Sequence, residues 1–382
     1  MFIAPSSYYW FLPKLLSAAE YDKLAAQGQF PTVDKLFPAL IYCFLFGIAR
    51  HVLTGIAFRP LALYAMNLKF GKPDKTIAEL DLYMSKNSFE KRGKRMKSLE
   101  QLVADASAAN PSVKEKIGEA GLRSYVHVYR QNHKAEKKVV KFVEALWRGI
   151  FYTIFVGLGT YCLFYPEPVD WVVNPSMMWI KWPQPVSEKC YFYYQLALGC
   201  YLHQLMWTEV TRSDAMEMIL HHLTTILLLL MSLFTQFTRV GTSILLVHDI
   251  ADVFLESAKC FNYTAQNNRP SKRWAQPTCD ILFGFFAVSF FVTRLIIFPR
   301  YLTYSLYSES PNHLGGIWPG YYGFVALLGT LQVLHVFWMY LVFKMIYKMF
   351  TTGIEKDERS DDEEDDDEAE GAKVKDKEKK KR

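Results

Sequence analysis

The sequence predicts an all-α polytopic membrane protein. Its 382 residues are 51% hydrophobic and 16% aromatic. The apolar residues gather into blocks of roughly 20, the length of helix that crosses a bilayer. The short alternating segments that build an outer-membrane barrel are not the pattern here. About seven transmembrane helices are expected, at 36–58, 144–165, 190–210, 216–237, 240–261, 278–298 and 320–349.

Residues 1–35 open with "MFIAPSSYYWFLPKLL", which lacks the basic start and long apolar run of a cleavable signal peptide. Tyr8, Tyr9, Trp10 and Phe11 suit either an interfacial aromatic anchor or an ordered lid over the helices. Residues 36–63 hold the first membrane helix. Residues 64–140 form a basic segment, with Lys86, Lys91, Arg92, Lys94, Arg95, Lys97, Lys114 and Lys116 among its cations. It reads as a few short amphipathic helices with a break near Pro111. Aromatics mixed with basic residues invite a nucleic-acid reading. A face held by anionic membrane lipid, or one that attracts an anionic substrate, explains the same pattern, and no nucleic-acid partner is expected.

Basic loop residues mark the cytoplasmic side. The basic segment, Arg212, Arg269, Lys272, Arg273, Lys344 and Lys348 then share that side, which places the N-terminus in the lumen and the C-terminus in the cytosol. The sequon at Asn262, Tyr263 and Thr264 would be cytosolic and carry no glycan. Residues 353–382 segregate charge too strongly to form a core and are expected to be disordered. This tail could be simply solubilising. Ser360 precedes Asp361, Asp362 and Glu363, a surround that acid-directed kinases prefer, and the terminal KKKR is similar to a dilysine endoplasmic-reticulum retrieval signal. Six cysteines without CxxC spacing read as packing residues.

Two predicted helices carry the chemistry. "MILHHLTTILLLLMSLF" holds His221 and His222; "LLVHDIADVFLESAKCFNY" holds His248, Asp249, Asp252, Glu256 and Lys259. Ionisable groups at membrane depth face the interior and mark function. Asp249, Asp252, Glu256 and Lys259 recur at steps of three and four, forming one helix stripe. At 1.5 Å per residue, His221 lies roughly 8 Å and Asp252 roughly 14 Å from the same face. A short connection makes the two helices antiparallel neighbours, so histidine and carboxylate can meet. Three chemistries compete: a metal site, disfavoured because the nine histidines form no HxxxH or HxxHH pairs; a transporter's proton relay, disfavoured by the lack of an internal repeat; and acid–base or nucleophilic catalysis by a carboxylate-oriented histidine. Plain cross-linking of helices is the fourth possibility.

"RSDAMEMILHHLTTILLLL" followed by "RVGTSILLVHDIADVFLESAKCFNY" resembles the Lag1 motif of ceramide synthases, within the TLC-domain superfamily. "KFVEALWRGIFYTIF", "FVTRLIIFP", "LQVLHVFWMYLVFKM" and "KDERSDDEE" extend the likeness over about residues 141–364. The resemblance implies a six-helix TLC-type bundle over 141–352, preceded by one extra N-terminal helix. It also implies N-acylation of a sphingoid base by fatty acyl-CoA in the endoplasmic-reticulum membrane, with no other cofactor. His221 would take the acyl group as an acyl-imidazole, and Asp252 would orient its ring. His222, His248 and Asp249 would shuttle protons or hold the amine. Glu256 would attract the cationic amine or simply pair with Lys259. Arg212 would be an interfacial charge or meet the CoA phosphates. A direct-transfer version uses His221 only as general base. Membrane lipids are further partners, and a homo- or hetero-dimer is compatible with the pattern. In this family the loop at 304–323 influences acyl-chain length. A TLC-domain protein that binds or transports lipid without catalysis is the main rival.

Overall fold

The computed structural model describes residues 9–27, 30–31, 33–72, 77–88, 97–165, 169–171, 173–207, 214–266 and 273–352. Arg212, Ser360, the dilysine-like end and Tyr8 lie outside them. The helices are α1 (Ala18–Ala26), α2 (Phe37–Leu53), α3 (Arg59–Met66), α4 (Ala78–Asn87), α5 (Leu99–Ala109), α6 (Pro111–Phe164), α7 (Glu188–Met206), α8 (Ala215–Phe234), α9 (Thr238–Ala265), α10 (Ala275–Phe290), α11 (Tyr304–Ser308), α12 (Ser310–His313) and α13 (Pro319–Thr352). π-helical turns at Thr54–Phe58 and Phe291–Thr303 join α2 to α3 and α10 to α11. The described residues contain no strand. They divide into two compact units, one from within 1–60, 142–210 and 214–355, the other from within 61–141.

In the smaller unit α4, α5 and the start of α6 bury Leu80, Met84, Leu102, Ala106, Val113, Leu122 and Val126. Ser98 opens α5 with a capping box closed by Gln101, which satisfies free N–H groups at the helix start. Asn132 clamps the backbone of Gly71 through both its amide groups. Lys97 pairs with Asp105 at 2.7 Å, and that partner raises the ammonium's affinity for its proton. Gly118, at φ +70°, breaks α6 within this unit, a conformation that glycine adopts without a Cβ penalty.

In the larger unit, large apolar side chains point outward. Phe37, Leu40, Phe44 and Ile48 on α2, Ile281, Phe285 and Val288 on α10, and Val333, Val336 and Phe343 on α13 are exposed. Outward apolar stripes suit lipid contact. Four stretches are long and apolar enough to cross a membrane: Asp34–Met66, Ala215–Phe234, Ala275–His313 and Pro319–Met349. The other expected spans fall on α6, α7 and α9, helices that carry more polar residues, such as the ionisable stripe of α9.

Close approach depends on small residues. At Gly199 of α7 a Cβ would lie 2.7 Å from the Ala39 carbonyl oxygen and 2.9 Å from the Tyr42 Cβ, so α2 and α7 cross with backbones nearly touching. A Cβ at Gly241 of α9 would collide with the Tyr194 hydroxyl, so α7 and α9 approach closely there. The turn between α8 and α9 is a Schellman motif. The Phe237 N–H donates to Ser232 at 2.7 Å, the Gln236 N–H donates to Leu233 at 3.1 Å, and Gln236 takes φ +60°. This tight turn makes α8 and α9 antiparallel neighbours.

Gly199→Ala should destabilise the protein by about 1–3 kcal/mol through overpacking. Gly157→Ala, where nothing lies within 4 Å of the added Cβ, should not. Thermal unfolding of the two variants in detergent compares them directly.

Candidate functional site

α8, α9 and α13 each present one stripe to a common pocket: His221, Thr225, Leu228, Leu229 and Ser232 from α8; Val240, Gly241, Ile244, Leu245 and His248 from α9; Phe324, Leu328 and Leu331 from α13. Steps of three and four put each set on one helix face. Two imidazoles lie at one end. Phe237, Phe324 and Trp179 close the other.

His248 is buried, and its partners assign its tautomer. Its Nδ1 sits 2.6 Å from the Ile244 carbonyl oxygen. A carbonyl only accepts, so Nδ1 carries the proton and Nε2 of the neutral ring is an acceptor. His335 of α13 supplies the donor: its Nε2 lies 2.7 Å from His248 Nε2. The His335 Nδ1 is then a buried acceptor with no hydrogen-bond partner among the described residues. The His221 ring stands edge-on to Trp338 at 5.3 Å and lies 6.4 Å from the His248 ring, centroid to centroid. Its Nδ1 is also buried without a hydrogen bond. His222 is buried beside it, its ring 5.9 Å from that of Tyr201.

Asp252 receives Arg294 Nη2 at 2.6 Å, and the same nitrogen donates to the His248 carbonyl at 2.9 Å. The guanidinium lies 4.5 Å from the Phe290 ring centroid. The hydrogen bond described for Asp252 therefore leads to Arg294 rather than to His221, and the carboxylate meets the histidines through the guanidinium. Arg294 belongs to the π-helical stretch, which also contains Pro299. Proline has no N–H for an i−4 bond, and the wider turn accommodates it; the Tyr304 N–H donates to the Pro299 carbonyl. Asp249 is buried, within electrostatic reach of Tyr193 and Tyr201 on α7.

Glu256 takes both pairings that its surroundings offer. Lys259 Nζ and Arg148 Nε each lie 3.1 Å from its Oε1. Arg148 also reaches Glu144 at 3.9 Å, and Glu144 meets Arg50 at 3.2 Å, so charge links α2, α6 and α9. Among the described residues no group of three or more His, Cys, Asp or Glu has the arrangement to hold a metal ion. No disulfide joins the six cysteines among the described residues.

Of the residues singled out by sequence, His221 and His248 meet at the pocket with His222 beside His221, Asp252 is held by Arg294, Asp249 is buried within reach of α7, and Glu256 and Lys259 lie further along α9. Arg294, His335, Arg148 and Trp338 were not singled out. Each of the three ionisable ones sits in an apolar run, the signal that drew attention to α8 and α9.

The TLC domain family model matches residues 141–344. Ceramide synthase 4 of Homo sapiens is 38% identical over 248 residues, 64% of this chain and 59% of that protein. Ceramide synthase 3 of Homo sapiens is 32% identical over 361 residues, 93% of this chain and 86% of that protein. Ceramide synthase hyl-1 of Caenorhabditis elegans is 34% identical over 236 residues, 58% of this chain and 61% of that protein. The chain spans about three-fifths of the length of the ceramide synthase 4 relatives it matches. With a family model over more than half the chain and a relative matched along most of both lengths, this multi-pass membrane protein belongs to the ceramide synthase family of TLC-domain proteins.

Proposed function

We propose that the protein transfers a fatty acyl group from acyl-CoA to the amine of a sphingoid base, forming (dihydro)ceramide within the membrane. The observation that carries this reading is the pocket itself: an apolar channel for an acyl chain, with His221 and a second, tautomer-locked histidine at one end.

His221 attacks the thioester carbonyl, the C–S bond breaks, and CoA leaves as thiolate. The arriving ammonium gives one proton to the departing thiolate; the neutral amine then attacks the acyl-imidazolium, the new C–N bond forms, neutral imidazole departs, and the nitrogen releases its second proton to the His248–His335 pair. A neutral imidazole is the nucleophilic form. His248 and His335 form a hydrogen-bonded pair that can pass a proton, with His222 and Asp249 beside it. Asp252 acts by holding Arg294, which fixes the His248 backbone. Glu256 is taken up by Arg148 and Lys259 and ties α6 to α9. Arg212 and the basic segment attract the CoA phosphates from the cytosol. No further cofactor is required.

In this reading the chain crosses the endoplasmic-reticulum membrane seven times, with six helices of the TLC type preceded by one N-terminal helix. Its N-terminus is lumenal and its C-terminus cytosolic. Membrane lipids surround it, a homo- or hetero-dimer is compatible with it, nucleic acid is no partner, and Ser360 is a phosphorylation site.

Microsomes containing the chain, given labelled sphinganine and acyl-CoA, should form dihydroceramide. His221→Ala should lower the rate by at least about a hundredfold while reaching the membrane normally. His335→Gln, which keeps an N–H donor for His248, should retain more activity than His335→Leu. Labelled acyl chain trapped on the wild type and absent from His221→Ala supports the covalent route; equal activity in both refutes the assignment. Wild type that binds both lipids and yields no amide points to a carrier.

Removing one member of a buried ion pair strands the other charge. Arg294→Met should therefore cost about 3–5 kcal/mol of stability. The double variant Arg294→Met, Asp252→Leu should recover the melting temperature in detergent without recovering acyl transfer. Recovery of both would make the pair purely structural.

A further inference from the structure

Residues 9–16 lie across the start of α13, behind the closed end of the pocket. The Phe11 ring sits 6.3 Å from that of Phe324, centroid to centroid, and Phe324 is 5.6 Å from Phe237. Phe324 and Phe237 both line the pocket, while Phe11 stands behind them. The segment is seated rather than draped. Leu12 is fully buried, and the Tyr21 hydroxyl donates to the Pro13 carbonyl at 2.6 Å. Its seat is made of glycine: a Cβ at Gly320 would collide with the Phe11 carbonyl oxygen, and one at Gly315 would press Leu15 at 3.3 Å.

From His221 to Ser232 the pocket follows α8 for roughly 16 Å. A chain anchored by its carbonyl at His221 meets Phe237 and Phe324 at its methyl end. A longer chain has to push Phe324 aside, and Phe11 occupies the space into which that ring would move. Packed interiors do not yield such space without cost.

We infer that residues 9–16 form the end stop of the acyl pocket, and that Phe11, backing Phe324, sets the longest acyl chain accepted. This rests on the reading of the pocket as an acyl site. The test measures kcat/KM in microsomes for a series of acyl-CoAs of increasing length. Phe11→Ala should raise the ratio for longer chains over the wild type's preferred chain by about tenfold, the scale on which a hydrophobic pocket discriminates methylenes. Phe11→Trp should lower it. Unchanged ratios in both variants overturn the end stop. If Phe11→Ala does not accumulate, wild type labelled with an acyl-CoA carrying a diazirine at its methyl end still decides. Cross-links on Phe11 or Phe324 support the inference, and cross-links on neither overturn it. Wild type that makes no amide from any acyl-CoA defeats the acyl-transfer reading and the end stop with it. Amide formation with unaltered chain preference defeats the end stop alone.

Discussion

Arg294 lies in a stretch long and apolar enough to cross a membrane, where a guanidinium and a carboxylate placed side by side must each keep the other. On insertion scales a charged residue at the centre of a membrane helix costs about 2.5–3.5 kcal/mol. Arg294 and Asp252 meet at 2.6 Å, and the second hydrogen of the same nitrogen is fixed on the His248 carbonyl. This ties α9 to the π-helical stretch at one height and one rotation. With the His248 backbone held, its ring has a single arrangement, one nitrogen on Ile244 and the other on His335. The packing of α8, α9, α13 and residues 291–303 around the pocket follows from that constraint.

The histidines divide into two kinds. His248 and His335 share a hydrogen bond and pack against Phe298, at 5.3 and 5.0 Å. His221 instead faces the pocket, with an aromatic neighbour in Trp338 and an unsatisfied Nδ1. An unsatisfied polar atom in a dry site costs stability and survives where function uses it. On the proposed mechanism His221, on the pocket wall, is the nucleophile, and the paired histidines stand next to it as a proton path.

The helical, membrane-embedded character of the chain is legible from hydropathy, because lipid exposure acts on every residue of a helix. The α8–α9 pair is legible too: the connection is short, and the stripes have helical period. Pairing partners are harder to read. Arg294, Arg148 and His335 lie 42, 108 and 87 residues from the groups they meet, and periodicity within one segment carries no information about contacts at that separation. Glu256 shows the consequence. It was read beside Lys259, three residues away, yet Arg148 shares the same oxygen. The π-helical stretch was equally hidden; Pro299 signals a disturbed helix without saying how the chain resolves it. The N-terminal aromatics leave two readings open, anchor or lid; in the structure Trp10 is exposed, while Phe11 and Leu12 pack inward.

The two ends of the pocket impose opposite demands on one set of helices. At the histidine end, α9 has to bury charge, which is tolerable only through pairing that spans three other elements. At the Phe324 end no charge is buried, and close packing sets the shape, through Gly241 against Tyr194 and Gly320 against Phe11. An acyl-imidazole is a hydrolysable species, and excluding water is what allows such an intermediate to wait for an amine. The apolar stripes of α8, α9 and α13 supply that exclusion along the length of the channel. The aromatic cluster of Trp179, Phe237 and Phe324 supplies it at the closed end, and on the proposed mechanism both substrates then meet at the histidine end.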